Sequence, residues 1–244
     1  MNSSLSDLFC FKEFSLKIVE GVFPVTTDSV LLGSWIDSNE AKTIIDLGCG
    51  SGILSLMLAQ KSKIVSKILA VDIDEGSVIC ASTNIKNSPW KDLVSCFQID
   101  LREIVSIEPF SKMKSSIDLI VSNPPYFHKQ LVSQEDHKSR SRHQLQIDFE
   151  MLAKLADFFL SDNGKACFVI PIMNEDELTF QMYIHKFQLN RIAKIKHKAN
   201  SPYSLFLLEY SKMQFGLKQE EIILHTLDED RTAEFYELTK DFYI

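Results

Sequence analysis

The chain has 244 residues, 45% of them hydrophobic and 24% charged, with 8 Gly, 7 Pro and a formal net charge of −7. Such values fit one globular domain with at most an extension, and they exclude a disordered, collagen-like or linker-rich chain. The acidic balance excludes a protein that coats nucleic acid nonspecifically. No apolar run approaches the roughly 20 residues that cross a bilayer, and residues 1–7 lack the basic and apolar regions of a signal peptide.

The first 40 residues mix aromatic and apolar positions with turn residues and read as an N-terminal extension packed on a core of residues 41–244. Thr43 to Leu47 is a short apolar run ending at Gly48 and reads as a buried strand. Ile53 to Gln60 follows with helix-forming residues. Lys67 to Ile73 is a second strand, and Glu75 to Lys86 a helix stopped by Asn87-Ser88-Pro89. Val94 to Ile99 and Ile117 to Ser122 are strands three and four. Phe149 to Leu160 is an amphipathic helix ending near Asn163-Gly164, and Lys165 to Ile170 a fifth strand. Alternation of strand and helix over this length predicts βαβ units and a largely parallel sheet. Arg191 to His197 and Ser204 to Tyr210 read as an antiparallel pair joined near Asn200-Ser201-Pro202. A short helix is expected from Arg231.

Cysteines are five (Cys10, Cys49, Cys80, Cys96, Cys167), an odd number without CxxC spacing. They read as free thiols in a reducing cytoplasm rather than as a zinc site or disulfide framework. Charge is unevenly spread. Lys186 to Lys198 holds five basic residues and no acid, whereas Lys218 to Ile244 holds three basic against eight acidic residues. Between His128 and His143, Lys129, Lys138, Arg140 and Arg142 outnumber Glu135 and Asp136. A charge run is usually a solvated face, and it matters only beside a site that needs an anion. Histidines 128, 137 and 143 read as loop residues.

Asp46-Leu47-Gly48-Cys49-Gly50-Ser51-Gly52 sits between the first strand and its helix, with spacing DxGxGxG. Glycines there let the backbone turn sharply and approach a ligand, and the helix start offers free N–H groups. The spacing is neither the GxGxxG dinucleotide fingerprint nor a Walker loop. Asp72 ends the second strand, where an acid accepts hydrogen bonds from ribose hydroxyls; Asp74 is the alternative. Asp100 ends the third strand, within reach of an adenine amino group. A single Asp at such a place is most simply a turn or helix cap. Three acids at successive strand ends around one glycine loop point to an adenosine-bearing ligand.

Asn123-Pro124-Pro125-Tyr126 follows the fourth strand. Two prolines stiffen the chain and donate no hydrogen bonds. The segment therefore presents a rigid pair of acceptors, the Asn123 side-chain oxygen and the Pro124 carbonyl. A planar amino group, as on a nucleobase or glutamine, has two hydrogens to give them. Tyr126 adds a ring on which a base stacks, worth roughly 1–3 kcal/mol.

These motifs resemble the class I S-adenosylmethionine-dependent methyltransferases that act on a planar amino nitrogen. Five segments narrow the resemblance to the bacterial tRNA1(Val) (adenine(37)-N6)-methyltransferase family. They are Phe11-Lys12-Glu13-Phe14, Thr27 to Trp35 (TDSVLLGSW), Ser88-Pro89-Trp90, Asn123 to Phe127, and Tyr236 to Tyr243. One departure stands out: the family usually shows Gly-Thr-Asp-Gly where this chain has Thr26-Thr27-Asp28-Ser29. The resemblance implies an α/β, Rossmann-like, seven-stranded, mostly parallel sheet with a reversed C-terminal hairpin and helices on both faces. It implies that Asp46, Gly48, Gly50 and Gly52 line the methionine end of S-adenosylmethionine. Asp72 then meets its ribose, Asp100 and Leu101 its adenine, Ile73 is a further cofactor-binding residue, and Thr27, Asp28 and Asn123 lie close to its pocket. Asn123, Pro124, Pro125 and Tyr126 would hold the target adenine, beside the anticodon of a valine tRNA. Lys129, Lys138, Arg140, Arg142, Lys194, Lys196 and Lys198 are the residues expected to hold tRNA phosphates. No metal is implied, and a cytoplasmic monomer is expected. The core motifs equally fit an amino-nitrogen methyltransferase of rRNA, DNA or a protein glutamine, and a non-catalytic cofactor-binding module is the reading outside enzymes.

Overall fold

The computed structural model describes residues 7–124 and 148–244. Strands β1 (Asp7–Cys10) and β2 (Ser15–Ile18) form an antiparallel hairpin and lead into helix α1 (Thr27–Trp35). The alternating units follow: β3 (Thr43–Leu47), α2 (Ile53–Lys61), β4 (Lys67–Asp72), α3 (Glu75–Lys86), β5 (Val94–Gln98) and β6 (Ile117–Ser122). After the undescribed stretch come α4 (Phe149–Phe159), β7 (Leu160–Pro171), α5 (Glu175–Ile184), β8 (Gln188–Lys196), β9 (Tyr203–Ser211), β10 (Lys218–Ile223) and α6 (Ala233–Thr239).

Eight strands share one sheet in the order β10-β8-β9-β7-β6-β3-β4-β5. Every neighbouring pair is parallel except those made by β9, which runs against both β7 and β8. β6 lies on one side of β3 and β4 on the other. The chain therefore changes direction of travel across the sheet at β3, and the crevice above the carboxyl ends of β3 and β6 is where such sheets take ligands.

Side chains alternate across the strands, as the period of two requires. Ile44 and Ile68 face one core with α1, α2, α3 and α6, and Ile45 and Leu69 face the other with α4 and α5. The sheet is thus buried on both faces, which is why its central strands read as continuous apolar runs. Three helices begin on a side-chain cap: Asp74 accepts from the Ser77 amide at 2.7 Å, Asp148 from Met151 at 2.6 Å and Thr232 from Phe235 at 3.1 Å. Such caps satisfy amide groups that have no partner inside the helix.

The expectation of seven strands is corrected to eight. Lys218–Ile223 (KQEEII) pairs parallel to β8 and becomes the edge strand. Its charged composition disguises it as surface loop, but its acids meet the cations of β8. Glu220 binds Arg191 and Glu221 binds Lys196. Lys198, just beyond β8, pairs with Glu229. The acidic tail and the basic segment seen in the sequence are therefore largely one mutually neutralised edge. Among the described residues, no helix is long and apolar enough to cross a membrane.

Candidate active site

The turn after β3 is set by its glycines. Gly48, Gly50 and Gly52 all have positive φ, at 74°, 54° and 82°, a region costly for residues with a Cβ. The Gly48 and Cys49 amides both donate to the Val71 carbonyl, at 2.8 and 3.0 Å, and tie the turn to β4. Asp72, at the end of β4, closes the other side. Its Oδ2 accepts the Gly50 amide at 2.8 Å and its Oδ1 the Asp74 amide at 3.0 Å. Burial raises the Asp72 pKa above the usual carboxylate range, although these amides oppose the rise.

Asp46, within β3, is fully buried. Its Oδ2 accepts from the amide and hydroxyl of Ser55 on α2, at 3.1 and 2.7 Å. Its Oδ1 has no partner among the described residues. Burial pushes its pKa up to about 7, partly offset by Ser55. The Oγ1 of Thr26, at the start of α1, is likewise buried without a partner. Among the described residues, a Cβ built on Gly50 meets nothing within 4 Å. An orphaned carboxylate oxygen and open space beside a glycine turn are what a cationic, adenosine-bearing ligand needs. The residues present therefore fit S-adenosylmethionine.

The third strand end differs in detail. Asp100 accepts Arg102 Nε at 2.9 Å on each carboxylate oxygen, and this pairing lowers its pKa. An adenine amino group at this place must share Asp100 with Arg102. Leu101 is buried in the core shared with α4 and α5, which leaves its backbone as the part beside a ligand. Ile73 is half-buried directly after β4.

Asn123 stands at the carboxyl end of β6, next to the buried Pro124. The Ser122 hydroxyl donates to the Leu47 carbonyl at 2.6 Å and binds this end of β6 to the glycine turn. The Asn123 side-chain nitrogen donates to the Ser29 hydroxyl at 2.8 Å. Thr27 is exposed on the first turn of α1, and burial raises the pKa of Asp28 beside it. Thus the described candidates Thr27, Asp28, Asp46, Gly48, Gly50, Gly52, Asp72, Ile73, Asp100, Leu101, Asn123 and Pro124 gather on one edge of four adjacent strands. Pro125, Tyr126, Lys129, Lys138, Arg140 and Arg142 lie outside the described residues.

Lys194, Lys196 and Lys198 stand at the carboxyl end of β8, on the same edge as the site. Three strand spacings, roughly 14 Å, separate β8 from β6. Lys196 lies 3.1 Å from Glu221 and 4.5 Å from the Tyr203 ring centroid.

Sequence reasoning missed Ser29, Ser55 and Asn84. Asn84 donates to the Ser51 carbonyl at 3.0 Å and accepts the Lys17 amide at 2.9 Å. It fastens the N-terminal hairpin to the glycine turn. Ser29 stands out only as a departure from the family pattern, and the contacts of all three act across a sequence separation of at least 9 residues, where no local pattern reports them.

The profile of the methyltransferase small domain family matches residues 15–176. A tRNA1(Val) (adenine(37)-N6)-methyltransferase of Haemophilus influenzae is 34% identical over 237 residues, covering 97% of this chain and 98% of the relative. Its counterpart in Flavobacterium psychrophilum is also 34% identical, over 240 residues, covering 97% and 99%. In structure, an Agrobacterium tumefaciens chain described as a predicted O-methyltransferase superposes with TM-score 0.68 at 15% identity, covering 88% of this chain and 96% of that one. M. jannaschii TYW2 in complex with AdoMet gives 0.59 at 16%, covering 87% and 89%. The chain belongs to the methyltransferase small domain family and, within it, to the family of the tRNA1(Val) (adenine(37)-N6)-methyltransferases.

Proposed function

We propose that this chain uses S-adenosylmethionine to methylate the N6 amino group of the adenine beside the anticodon of a valine tRNA. The reading rests on one juxtaposition. A turn fitted to an adenosine-bearing cation and the rigid Asn123–Pro124 acceptor pair share a single sheet edge, in a chain whose relatives are named for that reaction.

Bound S-adenosylmethionine supplies a methyl group made electrophilic by its sulfonium charge. The chain's own residues position what reacts. The Gly48–Gly52 turn and Asp46 would receive the methionine end, and Asp72 the ribose. The Asn123 side-chain oxygen and the Pro124 carbonyl accept the two amino hydrogens of the target base. Held so, the amino nitrogen would turn its lone pair away from these acceptors and toward a bound methyl donor. No strong base is required, because the nitrogen sheds its proton after attack. Positioning of this kind is worth about 7–11 kcal/mol. The base must leave its stack to reach the segment, a cost of a few kcal/mol that is least in a loop. Tyr126 is the expected stacking platform. The cations at the end of β8, and those between Lys129 and Arg142, would hold the flanking phosphates. We take the enzyme to act as a monomer in the cytoplasm, where its tRNA is.

The test is methyl transfer from labelled S-adenosylmethionine to total tRNA from a strain lacking this protein, followed by nucleoside mass spectrometry. N6-methyladenosine mapping beside a valine anticodon is the expected result. Label absent from tRNA but present in rRNA, DNA or a protein glutamine would overturn the substrate while keeping the chemistry.

A further inference from the structure

Ser29 accepts a hydrogen bond from the Asn123 side-chain nitrogen at 2.8 Å, across 94 residues of sequence. A carboxamide has two ends of nearly equal size and opposite hydrogen-bonding character. Rotated by half a turn, Asn123 would present hydrogens where an oxygen is needed, and it would face an amino group donor to donor. A hydroxyl can donate as well as accept, and in the arrangement present here Ser29 accepts and holds the nitrogen end on α1. The Ser29 hydroxyl takes the nitrogen end and directs the oxygen the other way.

The platform that carries Ser29 is rigid. Ser29 is only 7% exposed and lies in the first turn of α1. Helix α1 approaches α2 so closely that a Cβ on Gly33 would lie 2.7 Å from the Met57 sulfur. Its last carbonyls are held as well. Arg191 donates to Trp35 O at 3.1 Å, and Lys61 to Ile36 O at 2.5 Å. Groups that orient a reacting side chain work best from such fixed elements.

We infer that Ser29 is a positioning residue for the methyl transfer, anchoring the Asn123 side chain through its nitrogen so that the oxygen is presented to the incoming amino group. This rests on the role proposed above for Asn123. It concerns the position at which the chain carries Ser where the family pattern has Gly.

The test compares Ser29→Ala, Ser29→Thr, Asn123→Ala and the Ser29→Ala/Asn123→Ala double variant in single-turnover methylation of the tRNA. Cofactor affinity and thermal midpoint are measured alongside. Ala is the better helix former, so Ser29→Ala keeps the fold. Loss of one orienting hydrogen bond predicts a rate about 3- to 10-fold lower, with cofactor affinity unchanged. Ser29→Thr, which keeps the hydroxyl, retains the rate, and Ser29→Ala adds no loss to Asn123→Ala. The Asn123 side-chain amide resonances, identified by their absence in Asn123→Ala, shift in Ser29→Ala. A normal rate in Ser29→Ala with a slow Asn123→Ala would overturn the inference alone, as would equal losses in the Ala and Thr variants. A normal rate in Asn123→Ala would overturn the reading beneath it.

Discussion

Glu220 on β10 takes two nitrogens of Arg191 on β8, Nε at 3.0 Å and Nη2 at 3.1 Å, and also accepts the Trp35 indole N–H at 2.8 Å. The guanidinium in turn lies 4.0 Å from the Trp35 ring centroid. One carboxylate thereby joins the edge strand, its neighbour and the end of α1. Burial alone would raise the Glu220 pKa, but the hydrogen bonds from Arg191, Lys218 and Trp35 outweigh it and hold it at about 2, against an ordinary 4.5. A depressed carboxylate stabilises the fold above its unfolded pKa and loses that contribution as pH falls through the folded one. Glu220→Gln should therefore cost about 1 kcal/mol at neutral pH, solvent screening of the part-exposed carboxylate removing much of the gain. In urea unfolding, the gap between wild type and variant should close between pH 4.5 and about 2. A gap independent of pH would remove the ion pair as its cause.

Strands β3 and β6 and helix α3 are legible in the sequence to the residue, because apolar runs and turn residues bound them. The glycine turn and Asp72 are legible too, since a strand followed by spaced glycines admits few structures. Five elements were not. Helix α1 is buried along one unbroken stretch, Ser29 to Trp35, so no amphipathic period advertises it. The β1–β2 hairpin has only four residues per strand. Helix α5 buries only Leu178 and Met182. β10 owes its place to cations on a neighbouring strand, and pairing of that kind has no local signature. The same holds within the site. Asn123 was found from its prolines, whereas Ser29 belongs to a contact made only by folding.

Gly50 and Gly52 lie two residues apart and should fail differently. A Cβ at Gly50 meets no atom of the described residues within 4 Å. Gly50→Ala then carries only the backbone cost of positive φ, about 1–2 kcal/mol, while its methyl group enters the space read as the cofactor's. At Gly52 the added Cβ would lie 3.3 Å from Ala81 Cβ, so crowding against α3 adds to the backbone cost. Gly50→Ala should stay folded and bind S-adenosylmethionine at least about 10-fold more weakly, a loss of some 1.4 kcal/mol. Gly52→Ala should show the larger drop in thermal midpoint. Calorimetric titration and thermal melts of both variants decide it, and the reverse order would refute the assignment of that space.

Asp46 gives the site a pH dependence of definite sign. Burial raises its pKa from 3.8 to about 7. A raised carboxyl pKa contributes stability that is complete below the unfolded value and lost as pH rises through the folded one. The ligand-free protein should therefore weaken between pH 4 and pH 7 relative to Asp46→Asn, most steeply midway between 3.8 and about 7 and levelling off above the folded value. A cationic cofactor favours the carboxylate, so its binding releases a proton below that pKa. Affinity for S-adenosylmethionine should rise with pH up to neutrality, approaching about ten-fold per unit on the acid side. The Asp46→Asn profile should be flat. Parallel profiles for the two proteins would show that another group controls binding.

The basic end of β8 meets RNA only after competing with the protein's own acids. Lys196 is paired to Glu221, and Lys198 to Glu229, which also lies 3.6 Å from His197 Nε2. These are exposed pairs of the kind that contribute little to stability, so breaking them from the acid side should leave the fold intact. Glu229→Gln and Glu221→Gln should then strengthen tRNA binding, by about 2- to 5-fold each, by releasing a cation to a phosphate. Lys198→Gln should weaken it and lower the slope of log affinity against log salt by about 0.7–0.9. Binding titrations across a salt series measure both effects. If the two Gln variants bind tRNA no better than wild type, the end of β8 lies off the RNA path, and the phosphate contacts belong to the segment that follows Tyr126.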